Sequence, residues 1–147
     1  MSTKEVIPME KLTLEQLTYV GKQLEQEINS YSSYYTSLRV VYNKFLDNKD
    51  YLKDLISYQD KEILVPMTSS LYIPGKCSDV KKITIEVGGN FFVETNVEKA
   101  SKFCDRKLET VQKSMDKIDE IIKQKSNQLN AVNQYIIAIE EKKKQQK

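Results

Sequence analysis

The chain has 147 residues, 30% of them charged and 39% apolar, with a formal net charge of +2 and a mean hydropathy of −0.55. That balance argues against a compact globule and suits long exposed helices. So small a charge gives no ground for nucleic acid or an acidic membrane as the main partner, and no apolar run approaches the ~18 residues of a membrane span. The sequence contains no histidine. The commonest general base, the commonest zinc ligand and the Ser-His and Cys-His nucleophile pairs are therefore missing. Neither an enzyme nor a metal or other cofactor is expected. Two cysteines, Cys77 and Cys104, make no disulfide framework and read as free thiols of a reducing compartment. Met1–Lys11 has no continuous apolar core of the signal-peptide kind, so the chain reads as cytosolic with access to the nucleus.

In chain order, Met1–Lys11 is polar and irregular, and Pro8 discourages helix just before it. Thr13 is placed to cap a first helix, with Gln16 completing a capping box. The spacing predicts helix over residues 13–58, roughly 70 Å long at ~1.5 Å per residue. Its apolar residues fall into heptads. Leu14, Ile28, Tyr35, Tyr42 and Ile56 hold one core position, interrupted by Gly21 and Lys49; Leu17, Leu24, Tyr31, Leu38, Phe45 and Leu52 hold the other.

Residues 62–94 differ in kind. Five of the seven Gly and Pro residues lie there: Pro66, Pro74, Gly75, Gly88 and Gly89. Ile63, Val65 and Met67 share one face of a strand, and Leu71 and Ile73 share another. Ile83, Ile85 and Val87 alternate with Thr84 and Glu86, and Phe91 and Val93 follow a Gly88-Gly89-Asn90 turn that supplies the positive φ a tight hairpin needs. Two successive hairpins are expected. They are too small to bury a core alone, so Ile63, Val65, Leu71, Ile73, Ile83, Ile85, Val87, Phe91 and Val93 are the candidate subunit interface.

A second helix is expected over residues 96–143, with Thr95 as cap and Glu98 reaching back. Its seam runs Cys104, Leu108, Val111, Met115, Ile118, Ile122, Lys125, Leu129, Val132, Ile136 and Ile139. Each seam needs a partner, so the two helices should form an antiparallel intramolecular coiled coil. Lys125 would then lie opposite Ile28 or, one heptad on, Tyr35. Tyr35 is preferred, because the phenol oxygen and the long lysine stem reach solvent together. The closing polar run from Glu140 should fray.

Other candidate sites have plainer readings. Gly88-Gly89 matches no phosphate-binding pattern and is a turn. Asp116, Asp119 and Glu120 interleave with Lys113, Lys117 and Lys123 as a solvated helix face. Tyr31 and Tyr35 sit on the seam, leaving Tyr34 exposed, and Lys142–Lys144 is a solvated end. The helix ends farthest from the insert remain apolar: Leu12, Leu14, Leu17 and Val20 opposite Val132, Ile136, Ile137 and Ile139. Such ends open at low free-energy cost and would offer an apolar cleft to another protein. Substitutions there are expected to alter stability little. The competing reading is a coiled coil whose seam simply continues to its end.

Helix, two-hairpin insert, helix resembles the plan of the prefoldin family over nearly the whole chain. Val65–Lys76, Ile85–Glu94, Val97–Phe103 and Arg106-Lys107 look like the hairpins and second-helix start of its eukaryotic alpha-type subunits. The resemblance implies a mainly α, prefoldin-like fold in which the hairpins join a multi-chain β-barrel. It implies a hetero-hexamer of two alpha-type and four beta-type chains, an ATP-independent co-chaperone. Its coiled-coil tips would hold unfolded proteins, actin and tubulin among them, and deliver them to the cytosolic group II chaperonin. The eight apolar tip residues would be the client-binding residues. A structural coiled-coil adaptor is the alternative, and apolar tips that open would separate the two.

Overall fold

The computed structural model describes residues 12–145. The irregular stretch expected over Met1–Lys11 and the last two residues of the closing run expected to fray lie outside them; the described part of that run is helical through Gln145. The elements are helix α1 (Leu14–Asp54), a 3₁₀ turn (Leu55–Tyr58), strands β1 (Glu62–Pro66), β2 (Tyr72–Lys76), β3 (Ile83–Gly88) and β4 (Phe91–Thr95), and helix α2 (Val97–Gln145). This is a mainly α chain of two long helices around two small antiparallel sheets, β1 with β2 and β3 with β4. By packing it divides into two units, residues 12–39 with 113–145, and Val40–Gln112.

In the first unit α1 starts with the expected capping box. The Thr13 amide donates to Gln16 Oε1 at 2.9 Å and the Gln16 amide to Thr13 Oγ1 at 3.3 Å. Buried and half-buried positions recur as Leu14, Leu17, Gly21, Leu24, Ile28, Tyr31, Tyr35 and Leu38, the heptad stripe. On α2 the matching stripe includes Met115, Ile118, Ile122, Lys125, Leu129, Val132, Ile136 and Ile139. The helices run antiparallel: the Gly21 position faces Leu129 and Val132, and farther along α1 Glu27 meets Lys125. Lys125 Nζ lies 2.5 Å from Glu27 Oε2 and 6.0 Å from the Tyr31 ring centre. The preference for Tyr35 is therefore corrected. Lys125 occupies the Ile28 turn, where the Glu27 carboxylate neutralises its ammonium and the same ammonium lies over the Tyr31 ring.

In the second unit the half-buried stripe continues through Tyr42, Phe45, Lys49 and Leu52 on α1, and α2 buries or half-buries Ala100, Phe103, Cys104, Leu108 and Val111. The Phe45 and Phe103 rings meet edge to face, with centroids 6.4 Å apart. Ile56 was expected on this seam and is instead 65% exposed. The helix tightens into a 3₁₀ turn at Leu55, whose larger rotation per residue turns Leu55 inward in its place. The cap of α2 is also corrected. Asn96 Oδ1 accepts from the Lys99 amide at 2.9 Å, whereas Thr95 is the last residue of β4 and pairs with Ile83. A residue held in a ladder cannot also turn its oxygen into the first helical turn.

Candidate functional site

The two hairpins supply the first candidate surface. In the β1–β2 hairpin Val65 stands opposite Ile73, and Ile63 opposite Gly75. Directly opposed residues share a face, so Ile63, Val65 and Ile73 form one apolar face, not the two separate faces expected. Glycine fits there without displacement: a Cβ at this position would approach Val65 Cγ2 to 2.9 Å, so the Val65 side chain would have to shift. The loop between the strands is built on Thr68, whose hydroxyl accepts from the Ser70 and Leu71 amides. Leu64 and Tyr72, on the opposite face, are exposed, as are Met67 and Leu71 by the loop.

The β3–β4 hairpin turns through Gly88, Gly89 and Asn90, all at positive φ, as their residue types demand. Ile83 pairs with Thr95 and Ile85 with Val93, and a bulge at Val87 shifts the register before Gly88 meets Phe91. Ile83 and Ile85 are half-buried because they line a groove of about 590 Å³ with Val41, Phe45, Tyr51, Leu52 and Leu55 of α1 and Phe103 and Cys104 of α2. Phe91, at 72%, and Phe92 are the most open large apolar residues of the hairpin. Sequence reasoning named Phe91 but left out Leu64, Met67, Tyr72 and Phe92. For β1 and β2 the available signal was that both faces are apolar, which a strand with one solvated face would not show; Phe92 shares its face with Thr84, Glu86 and Glu94 and carried no such signal.

Between the hairpins, Gln59 organises the connection. Its Nε2 donates to the Ser78 carbonyl at 2.7 Å and its Oε1 accepts from the Val80 amide at 3.2 Å, which fixes Val80 as a buried apolar residue. The Asp60 amide donates to the Cys77 carbonyl and the Cys77 amide to the Lys61 carbonyl, prolonging the β1–β2 pairing. Both cysteines are free. Burial pushes the Cys104 thiol up from its ordinary 9.0, so it is less ionised at any given pH.

The helix ends are the second candidate surface. Leu17 is 0% and Val132 1% exposed, the two largest fully buried side chains among the described residues. Leu12, Leu14, Val20, Ile136 and Ile139 are half-buried. Ile137 is 55% exposed, and Tyr19 on α1 and Tyr135 on α2 are exposed as well. Of the eight residues named from the sequence, seven are thus buried or half-buried, and Ile137 lies outside the seam. Among the other candidates, Asp119 holds Lys123 at 2.6 Å within α2 and raises its pKa, the behaviour of a solvated helix face. Tyr34 is exposed, and Tyr31 and Tyr35 are half-buried.

A family model described as the prefoldin subunit matches residues 24–142. The chain belongs to the prefoldin family. It is 39% identical over 127 residues to prefoldin subunit 5 of Homo sapiens, covering 86% of this chain and 82% of that protein. To probable prefoldin subunit 5 of Schizosaccharomyces pombe it is 34% identical over 131 residues, covering 87% and 85%. The fold is similar to that of a chain in the cryo-EM structure of filamentous PFD from Methanocaldococcus jannaschii. There the TM-score is 0.69 at 20% identity, with 82% of this chain and 98% of that chain covered. The resemblance read from the hairpin motifs is borne out. As a prefoldin, the chain is a chaperone subunit.

Proposed function

We propose that this chain is an alpha-type subunit of an ATP-independent, hetero-hexameric co-chaperone of two alpha-type and four beta-type prefoldin subunits. The hexamer holds unfolded or nascent proteins of the actin and tubulin class at its coiled-coil tips and passes them to the cytosolic group II chaperonin. It works in the cytosol and has access to the nucleus. The observation that carries the reading is the β1–β2 hairpin with apolar residues on both faces, Leu64 and Tyr72 against Val65 and Ile73, in a chain matched by the prefoldin subunit model. Isolated two-stranded sheets with that composition are stable only when further strands or helices cover them. Reconstitution with beta-type subunits tests it. A complex of hexamer size should suppress aggregation of guanidine-unfolded actin without nucleotide, and the held actin should transfer to added chaperonin. A hexamer with no suppression would sink the holdase role.

A structural adaptor remains the second reading, favoured by one observation: Leu17 and Val132 are fully buried, so the tip is closed at rest. An adaptor keeps that closed surface in use. A holdase must open it.

A further inference from the structure

Gly21 interrupts the α1 seam at a buried position, and the usual reasons for a seam glycine are absent. A Cβ placed there would meet Val132 Cγ1 at 3.7 Å and Leu129 Cδ1 at 3.9 Å, ordinary van der Waals distances, so close helix approach does not demand glycine. Its backbone is helical, and the positive-φ glycines among the described residues are Gly88 and Gly89. What glycine does in a helix interior is weaken it, because the freed backbone loses more entropy on folding than alanine would. The residues before it are weakened further: the Thr18 hydroxyl bonds the Leu14 carbonyl at 2.8 Å and competes with the helical ladder for that acceptor. Leu14–Val20 is thus a short segment, capped at Thr13, that carries Leu17 into the seam and joins the rest of α1 through its weakest residue.

We infer that Gly21 is a built-in weak point that sets how often Leu14–Val20 separates from α2, and so governs access to the apolar seam that a client would contact. The inference rests on the holdase reading for its functional half, while the opening itself can be measured without any client. Opening bares Leu17 together with Leu129 and Val132, the groups that contact or flank the glycine. Local separations of this kind lie at the low end of a protein's opening free energies. An alanine at this position fits the space available and favours the closed helix.

The test compares the full chain with its Gly21→Ala and Ser30→Ala variants. Ser30 is exposed and its hydroxyl bonds the Gln26 carbonyl, so Ser30→Ala strengthens α1 away from the tip. Hydrogen exchange is read at the Leu14–Val20 and Leu129–Ile139 amides. Suppression of aggregation of guanidine-unfolded actin is read after assembly with beta-type prefoldin subunits. Gly21→Ala should slow exchange in both segments about five-fold, the propensity difference between glycine and alanine, and should lower suppression. Ser30→Ala should change neither. Unchanged or faster exchange in Gly21→Ala overturns the inference, and so does slowed exchange with full suppression. If the unmodified assembly suppresses nothing, the holdase reading fails by itself, and exchange alone decides whether Gly21 sets the opening.

Discussion

Lys49 and Lys125 are charged residues on otherwise apolar seams, and each has a carboxylate on the other helix: Asp105 at 2.5 Å and Glu27 at 2.5 Å. The bond to Asp105 holds the Lys49 ammonium above its ordinary 10.5. A raised folded pKa means that this contribution is complete below the ordinary lysine value and is lost as pH rises through the folded one. A charged seam residue fixes helix register at a cost in stability. Lys125→Leu should therefore raise the thermal midpoint, by about 1 kcal/mol in stability, while tolerating slipped registers. Disulfide trapping between cysteines introduced at Gly21 and Val132, or one heptad away, would count them. Cys104 allows a second test at this scale. Its raised thiol pKa and burial predict much slower alkylation than at the half-buried Cys77, read by mass spectrometry of the native chain at pH 8. Equal rates would mean that the Cys104 region opens freely.

Among the elements, helix starts are governed by side chains and helix ends by changes of winding. Asn96 rather than Thr95 caps α2 because Thr95 is committed to the β3–β4 ladder. Asn96→Ala should cost about 1 kcal/mol, seen as a lowered denaturation midpoint, and Thr95→Val should cost less. The β3–β4 hairpin divides its labour along its length. Ile83 and Ile85 look into a groove shared with the helices of their own unit, whereas Phe91 is open. Ile85→Asp should thus lower both assembly and the stability of the isolated chain, since a charge left unpaired there costs several kcal/mol. Phe91→Asp should block assembly while leaving helicity and melting unchanged. Circular dichroism and light scattering separate the two. If Phe91→Asp assembles normally, the β4 end of the hairpin is not part of the joint.

For the molecule as a whole, the closed tip changes what a client-binding experiment means. Substitutions at the tip were expected to leave stability unaffected, yet Leu17 is fully buried. Leu17→Ser removes a core side chain and should cost at least ~2 kcal/mol. Ile137 is exposed, and Ile137→Ser should leave stability within about 0.5 kcal/mol. If Ile137 is part of the surface that first meets a client, its loss should weaken aggregation suppression by the assembly without abolishing it. Several arms would contribute weak contacts through effective concentration. Full suppression by Ile137→Ser would move first contact elsewhere.

The elements and their kind were legible in the chain alone. Heptad spacing marked both helices and all but Ile56 of the α1 seam, and the clustered glycines and prolines marked two hairpins, because periodicity and turn chemistry are local properties of the chain. The prefoldin resemblance came from the same motifs. Tertiary structure decided what depends on partners far apart in sequence. It put Lys125 against Glu27 instead of Tyr35, since heptads slide past one another by whole repeats without changing their local pattern. It set Val65 opposite Ile73, a matter of ladder register. It showed Ile83 and Ile85 half-covered by helices of their own unit, and it closed Leu17 and Val132 into the seam at the tip. Burial is a relation between surfaces, and an apolar residue near a helix end carries no local sign of whether its partner is in place.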